Sequence, residues 1–142
     1  MTNDILEVPL LAEYGTYHRD PRNRWCHEFG IPLIVLSIIA LLRLVHYERF
    51  DLAQVAIVLV CFYYLRLVGA KALTTIVVFA LLYVVSWYVE WPVAIGLFVV
   101  GWILQFVGHM FEGKSPAFMT NLVHLLIGPL WIVAVSTTRR SA

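Results

Sequence analysis

This chain of 142 residues has little charge and little cysteine, and both shortages exclude classes of protein. Only 13% of residues are charged, the net charge is +1 and no long block of like charge occurs, which argues against nucleic-acid binding. The two cysteines, Cys26 and Cys61, lie too far apart in sequence to indicate a disulfide framework. The chain also lacks a glycine-rich phosphate loop, a Ser-His-Asp set and a paired-cysteine zinc motif.

Hydrophobic residues, in contrast, are abundant. They make up 61% of the chain, and the mean hydropathy of +0.83 lies outside the range of ordinary soluble domains. The polar stretch from Met1 to Arg24 contains no apolar core of the kind that a cleavable signal peptide needs, so the first apolar run is expected to be a retained span. We predict one membrane-embedded domain over 1–142, with a polar N-terminal segment at 1–30 and a helical bundle at 31–136.

The apolar residues fall into five segments, each close to the ~20 residues with which a helix crosses a bilayer. The segments are Ile31–Tyr47, Leu52–Gly69, Ala72–Val89, Pro92–Phe111 and Ala117–Ser136. Their long continuous runs lack the alternation of barrel strands. The sequence therefore predicts an all-α fold, a polytopic membrane bundle of about five transmembrane helices.

Capping signals place the helix starts. Asp51 with Gln54 resembles a capping box that opens the second segment. Asp20 suits an N-cap and Pro21 the first helical position, so His18 is expected in the preceding loop, where it can fold back over the helix start.

Polar residues form a stripe near the end of the fourth segment. Gln105, His109 and Glu112 stand at i, i+4 and i+7, and a central acidic residue facing lipid costs ~3 kcal/mol on insertion scales. The stripe is therefore expected to face the bundle interior or the interface. Glu112 has three open roles: capping the stripe, pairing with Lys114, or binding a metal or cofactor.

Four histidines are expected on one side of the bilayer. His18 and His27 precede the first segment, four crossings return His109 to the same side, and His124 lies early in the fifth segment. Neutral imidazole suits iron, copper, zinc or nickel, and few carboxylates would leave coordination positions for substrate and dioxygen. We predict a metal site formed by His18, His27 and His109, with His124 as a further candidate.

Two amides accompany these histidines. Asn23 shares a helical face with His27, and Gln105 precedes His109 by four residues. Both are interpreted as groups at the cofactor site that orient imidazoles, and hydrogen bonding between helices is an equal alternative. Gly108 is interpreted as a position that permits close helix approach.

These residues resemble a family of small membrane proteins, that of the fungal 2-hydroxy fatty acid dioxygenase of phytosphingosine breakdown, which has many bacterial relatives. The likeness spans nearly the whole chain. Its front signature comprises Tyr14, Tyr17, His18, Asn23, His27, Gly30 and Pro32. Its back signature comprises Trp102, Gln105, Phe106, Gly108, His109, Phe111, Glu112, Pro116, Ala117, Leu122 and Pro129.

The resemblance implies an Fe(II)-dependent enzyme of fatty acid α-oxidation. Such an enzyme uses dioxygen to remove the carboxyl carbon of a 2-hydroxy long-chain fatty acid, leaving a fatty acid one carbon shorter. It implies that His18, His27 and His109 are the iron ligands and catalytic residues. The assignment carries over weakly to His124 and Glu112, since the family pattern varies at those positions.

Two other functional classes remain open from the residues alone. One is an electron-transfer protein with b-type haem held by His27 and His109. The other is a small transporter or a purely structural bundle. The expected partners are the lipid bilayer, dioxygen and the fatty acid, with no nucleic acid, and the expected location is the bacterial inner membrane rather than the endoplasmic reticulum. The sequence leaves orientation and oligomeric state open, and an oligomer is compatible with it.

Overall fold

The computed structural model describes residues 3–140, with side chains for 5–138, and most of this part is helical. The α-helices are α1 Asn3–Leu6, α2 Pro9–Thr16, α3 Pro21–Leu42, α4 Leu52–Val68, α5 Leu73–Ser86, α6 Trp91–Glu112 and α7 His124–Arg140. Short 3-10 turns lie at Gly69–Ala72 and Ala117–Met119, and two short strands, β1 His46–Tyr47 and β2 Phe50–Asp51, form an antiparallel hairpin. The predicted all-α bundle is confirmed.

Three helical stretches are long and apolar enough to cross a membrane, which identifies a membrane protein. They are Pro21–Leu42, Leu52–Ser86 and Trp91–Glu112, and α7 adds a shorter apolar helix. The middle stretch folds back on itself. This is shown by the hydrogen bond that the Gln54 Nε2 donates to the Tyr83 Oη at 3.0 Å, between residues 29 positions apart in the sequence. It therefore forms a helical hairpin of α4 and α5, with 17 and 14 residues.

The helix starts follow capping chemistry more closely than hydropathy. α3 begins at Pro21, upstream of the expected apolar segment at Ile31, as the Asp20-Pro21 signal predicts. The expected start of the last segment at Ala117 is wrong for the α-helix, which begins at His124. There the Asn121 Oδ1 accepts the backbone N–H of Val123 at 3.0 Å, and such side-chain bonds compete with helix formation.

The chain divides into two compact units. One comprises the described residues up to Ile31 and those from Ile103 onward, and the other comprises Pro32–Trp102. All the predicted site residues belong to the first unit. Its interior is built where α2 packs against α7, with Leu11, Tyr14, Ile127, Leu130 and Trp131 buried.

The second unit is organised around Asp51. The Asp51 Oδ1 accepts the backbone N–H of Gln54 at 2.8 Å, and the Gln54 Oε1 accepts the backbone N–H of Asp51 at 3.3 Å. These two hydrogen bonds confirm the predicted capping box. The Asp51 Oδ2 accepts a hydrogen bond of 2.6 Å from the Tyr83 hydroxyl. The start of α4 is thereby tied to the end of α5.

Replacing Tyr83 with phenylalanine is expected to loosen this helical hairpin. The substitution removes the donor to Asp51 and the acceptor for Gln54, and a hydrogen bond to a charged group is worth ~1.5–3 kcal/mol. Thermal unfolding in detergent should shift to lower temperature for Tyr83→Phe. Tyr88→Phe is the control, because its side chain is 86% exposed. Equal unfolding temperatures for the two variants would contradict the assignment.

Candidate metal centre

Three buried histidines meet in the first unit. His18 lies in the loop after α2, His27 in the second turn of α3 and His109 near the end of α6. Each offers a ring nitrogen, and these nitrogens all lie within 4.8 Å of one another. The ring centroids are 4.3 Å apart for His18 and His27, 4.8 Å for His27 and His109, and 5.0 Å for His18 and His109. A cluster of three histidines of this kind could hold a metal ion.

The loop at Tyr17–Asp20 brings His18 over the start of α3. The Asp20 Oδ1 accepts the backbone N–H of Arg22 at 2.8 Å, and the Arg22 guanidinium beside it lowers the pKa of the Asp20 carboxyl. The Arg24 Nε donates to the His18 carbonyl at 2.6 Å. The predicted fold-back of His18 toward His27 is confirmed.

Backbone carbonyls select one tautomer for two of the rings. The His18 Nδ1 lies 2.8 Å from the Tyr14 carbonyl oxygen, and the His27 Nδ1 lies 2.9 Å from that of Asn23. A carbonyl only accepts, so each Nδ1 carries the hydrogen and each Nε2 keeps its lone pair. The His18 Nε2 is buried without a hydrogen-bond partner among the described residues. This arrangement is the one by which proteins orient histidine ligands toward a metal.

The electrostatics of His18 also suit metal binding. Burial lowers its pKa to about 4, so the ring is neutral at physiological pH. Two nitrogens that each lie ~2.1 Å from one ion are at most ~4.2 Å apart, which is close to the 4.8 Å within which all three histidine nitrogens lie here. Neutral, nitrogen-only donors fit a transition-metal ion better than calcium or magnesium, which prefer oxygen.

Glu112 lies beside the cluster and has another set of partners. Its Oε1 accepts the backbone N–H of Arg19 at 2.9 Å, and its Oε2 accepts the N–H of Asp20 at 2.8 Å and the Asn23 Nδ2 at 3.1 Å. The carboxylate therefore takes up N–H groups at the positive end of α3. Lys114 does not pair with it and donates instead to a backbone carbonyl of α2. We call these Glu112 contacts the carboxylate clamp.

The two predicted amides are both buried in this region. The Asn23 Nδ2 donates to the Tyr17 carbonyl at 2.9 Å as well as to Glu112, while the Asn23 Oδ1 is buried without a partner among the described side chains. Gln105 is buried one turn before His109, and within the described part of the chain its Nε2 has no hydrogen-bond partner. An orienting role for these amides stays a prediction.

His124 lies outside the group of three. Its Nδ1 is 3.0 Å from the Ala117 carbonyl oxygen, and its Nε2 is 3.6 Å from the Glu13 carboxylate. The Tyr14 ring stacks on His18 with centroids 4.2 Å apart and meets His124 edge-on at 5.9 Å. His124 thus contacts the aromatic ring that covers His18, and its role as a metal ligand stays a prediction.

Two aromatic neighbours of His18 were not assigned a role from the sequence. Tyr14 stacks on the ring, and Trp131 lies 5.3 Å from it by ring centroid. Tyr14 precedes His18 by four residues, a spacing that could have indicated the contact. Trp131 comes from α7, and no local pattern links it to His18.

The chain matches a known family over the stretch that carries this cluster. Residues 9–73 and 70–140 match the family described as 2-hydroxy-palmitic acid dioxygenase Mpo1-like. The chain belongs to the Mpo1-like family. It is 35% identical over 130 residues to the 2-hydroxy-palmitic acid dioxygenase MPO1 of Saccharomyces cerevisiae, covering 87% of this chain and 75% of the yeast protein. No solved structure shows a significant match.

Gly108 sets the helix spacing in this Mpo1-like chain, as its sequence position predicts. A Cβ added there would lie 2.5 Å from the Asn23 Oδ1 and 2.9 Å from the Cys26 Cβ. Contacts under 3 Å force a shift, and the carbonyl of Asn23 holds the His27 ring. A larger residue at this position therefore displaces Asn23 and Cys26 of α3 beside the histidine cluster.

Gly108→Ala is expected to destabilise the protein by ~1–3 kcal/mol and to lower its metal content, because overpacking displaces backbone and side chains. Unfolding in detergent and metal analysis of the purified protein measure the two effects. Gly96→Ala is the matched control on α6, since a Cβ there meets nothing within 4 Å. If both variants behaved alike, helix propensity rather than close approach would explain Gly108.

Proposed function

We propose that this protein is an Fe(II)-dependent dioxygenase that converts a 2-hydroxy long-chain fatty acid into a fatty acid one carbon shorter. The observation that carries the proposal is the cluster of three buried histidines in a chain 35% identical to a 2-hydroxy-palmitic acid dioxygenase. The family relation supports the reaction class. The histidines support the metal.

His18, His27 and His109 would hold the iron. Three protein ligands leave further coordination positions of a mononuclear iron free for substrate and dioxygen. When bound, ferrous iron supplies the one-electron chemistry through which dioxygen reacts with an organic substrate. A 2-hydroxy acid carries two oxygen donors, the carboxylate and the hydroxyl, on either side of the bond that breaks.

The overall reaction balances without an added reductant. A 2-hydroxy acid and one dioxygen give the shortened carboxylic acid, carbon dioxide and water. The bond between the carboxyl carbon and the hydroxyl-bearing carbon breaks, and the latter becomes the new carboxyl group. The substrate loses four electrons, which are the four that dioxygen accepts.

The remaining residues of the site would orient and shield its ligands. The carbonyls of Tyr14 and Asn23 fix the tautomers of His18 and His27. The carboxylate clamp holds the loop that carries His18. Tyr14 and Trp131 cover the His18 ring and limit the entry of water.

The geometry favours a single ion over haem. In a bis-histidine haem the macrocycle lies between two imidazoles. Here the three rings are in mutual edge contact at 4.3–5.0 Å, which fills the space that a macrocycle would need. Imidazole nitrogen suits both iron and zinc, and the similarity to a dioxygenase supports iron as the ion in this proposal.

The apolar stretches supply the setting for a fatty acid substrate. We propose the bacterial inner membrane as the location and the bilayer as the source of the substrate. A long acyl chain is solvated by lipid or by the surfaces of the spans while its polar end reaches the histidines.

The proposal is tested with protein purified in detergent without oxygen and supplied with Fe(II). Incubation with 2-hydroxypalmitate and dioxygen should give the acid one carbon shorter, with one dioxygen consumed per product. Palmitate without the hydroxyl is the control and should not react. Iron-loaded protein that leaves 2-hydroxypalmitate unchanged would contradict the reaction, and a haem absorption band would favour electron transfer.

A further inference from the structure

A cavity with several charged side chains in its lining lies in the second unit, where α3 ends, α4 begins and α5 ends. It has a volume of about 350 Å³, within the ~300–1,000 Å³ of small-ligand sites. Its lining combines two arginines, two carboxylates, a histidine and a tryptophan: Arg43, His46, Glu48, Arg49, Asp51 and Trp87. We call it the hairpin cavity, because the β1–β2 hairpin forms much of its wall.

One pair of charges in the hairpin cavity is held in place by internal contacts. The Arg43 Nη1 donates to the Ser86 carbonyl at 2.8 Å, and its guanidinium lies 3.8 Å from the Trp87 ring centre. The Arg43 Nε is 3.9 Å from the Asp51 Oδ2 and is buried without a hydrogen-bond partner among the described residues. Arg43 and Asp51 largely neutralise each other.

The other charged groups are free to bind something else. Within the part of the chain that the structure describes, the side chains of His46, Glu48 and Arg49 have no partner. Glu48 and Arg49 therefore leave one exposed negative and one exposed positive charge on the hairpin, and His46 adds an exposed imidazole on strand β1. A ligand that carries one phosphate and one ammonium complements this set.

The turn of the hairpin determines where two of these charged residues lie. Glu48 has φ of 51°, the left-handed conformation that a two-residue hairpin turn requires at its first position. The turn places Glu48 and Arg49 side by side between the two strands.

The surroundings indicate a membrane interface. Tyr47, Phe50, Trp87, Tyr88 and Trp91 are exposed around this end of the apolar stretches. Aromatic residues in this position lie at the level of lipid headgroups. The phosphates found at this level of a bilayer are those of membrane lipids.

We propose that the hairpin cavity binds the headgroup of a phosphatidylethanolamine, with the phosphate on Arg49 and His46 and the ammonium on Glu48. An ethanolamine ammonium donates hydrogen bonds to a carboxylate, whereas the quaternary ammonium of choline has none to donate. Glu48 therefore selects phosphatidylethanolamine over phosphatidylcholine. This site shares no residue with the histidine cluster, and its proposed binding does not depend on the chemistry of that cluster.

The test is native mass spectrometry of the delipidated full-length protein, titrated in detergent with phosphatidylethanolamine, phosphatidylcholine, phosphatidylglycerol or inorganic phosphate. Arg49→Gln is expected to weaken phosphatidylethanolamine binding roughly tenfold, the loss of one charge-assisted hydrogen bond. Glu48→Gln should abolish the preference for phosphatidylethanolamine over phosphatidylcholine. Arg66→Gln, an exposed arginine on α4, is the matched control and should bind as the unmodified chain does.

Several outcomes would overturn the proposal. Unchanged binding in Arg49→Gln, or an equal loss in Arg66→Gln, would show that the aromatic belt alone retains lipid. Unchanged selectivity in Glu48→Gln would remove the ammonium contact. Inorganic phosphate bound as tightly as the lipid would indicate a site for free phosphate. Circular dichroism verifies that each variant is folded, and unchanged iron content in Arg49→Gln would separate the result from the histidine cluster.

Discussion

Replacing His109 with alanine should remove the bound iron and abolish the formation of shortened fatty acid. His109 supplies one of the three nitrogens in the cluster, and two remaining imidazoles hold an ion far more weakly. The loss should exceed the roughly 10–100-fold that removal of an outer hydrogen-bonding partner costs a metal site. Metal analysis of protein purified without oxygen, followed by the 2-hydroxypalmitate assay, measures both effects.

Arg66→Ala is the control for this experiment. Arg66 is exposed in the last turn of α4, and it is not one of the clustered histidines. It should keep full iron content and activity. Stoichiometric iron in His109→Ala, or equal iron loss in both variants, would contradict the proposed three-histidine metal site. His18→Ala and His27→Ala should repeat the result for His109 if the three rings act together.

Replacing Glu112 with alanine should weaken iron binding by about 10–100-fold without removing a ligand. The substitution leaves the backbone N–H groups of Arg19 and Asp20 without their carboxylate and frees the loop that carries His18. Hydrogen bonds to a charged group are worth ~1.5–3 kcal/mol each, so unfolding in detergent should also occur more readily. Iron titration and thermal unfolding are the two measurements.

Product formation at excess iron shows whether Glu112 positions the loop or binds the metal. If Glu112 positions the loop, saturating Fe(II) should restore most of the product formation in Glu112→Ala, whereas His109→Ala should stay inactive. Glu112→Gln should bind iron more tightly than Glu112→Ala and more weakly than the unmodified chain. Its amide oxygen still accepts one N–H, whereas its amide nitrogen faces another N–H and cannot accept it. Glu7→Ala, an exposed acidic residue before α2, is the control. A variant that stays inactive at saturating iron would make Glu112 a ligand.

Local signals in the sequence predicted much of the first unit. Asp20 and Pro21 marked the start of α3, and their chemistry placed His18 in the loop that folds over that start. The spacing of Gln105 and His109 predicted one buried face, and both side chains are buried. Gly108 was interpreted as a site of close approach, and its surroundings leave no room for a Cβ. Each of these predictions depends on neighbours within a few positions along the chain.

Contacts between distant segments were harder to predict. The apolar segment predicts a helix from Ala117, but α7 begins only at His124. The Asn121 side chain competes with the helix for the backbone N–H of Val123. Glu112 had three plausible roles, and only the position of α3 beside it shows which groups its oxygens accept. Trp131 had no sequence signal at all as a neighbour of His18.

The sequence by itself determined the membrane setting, the helical class and the side of the bundle on which the histidines were expected. These follow from hydropathy, capping residues and the count of apolar segments, all of which can be read along the sequence without knowing how the helices pack. The tertiary structure decided that His18, His27 and His109 form the cluster while His124 meets the Tyr14 ring outside it. That distinction depends on how each helix is rotated about its axis and packed against the next, which apolar periodicity constrains only loosely.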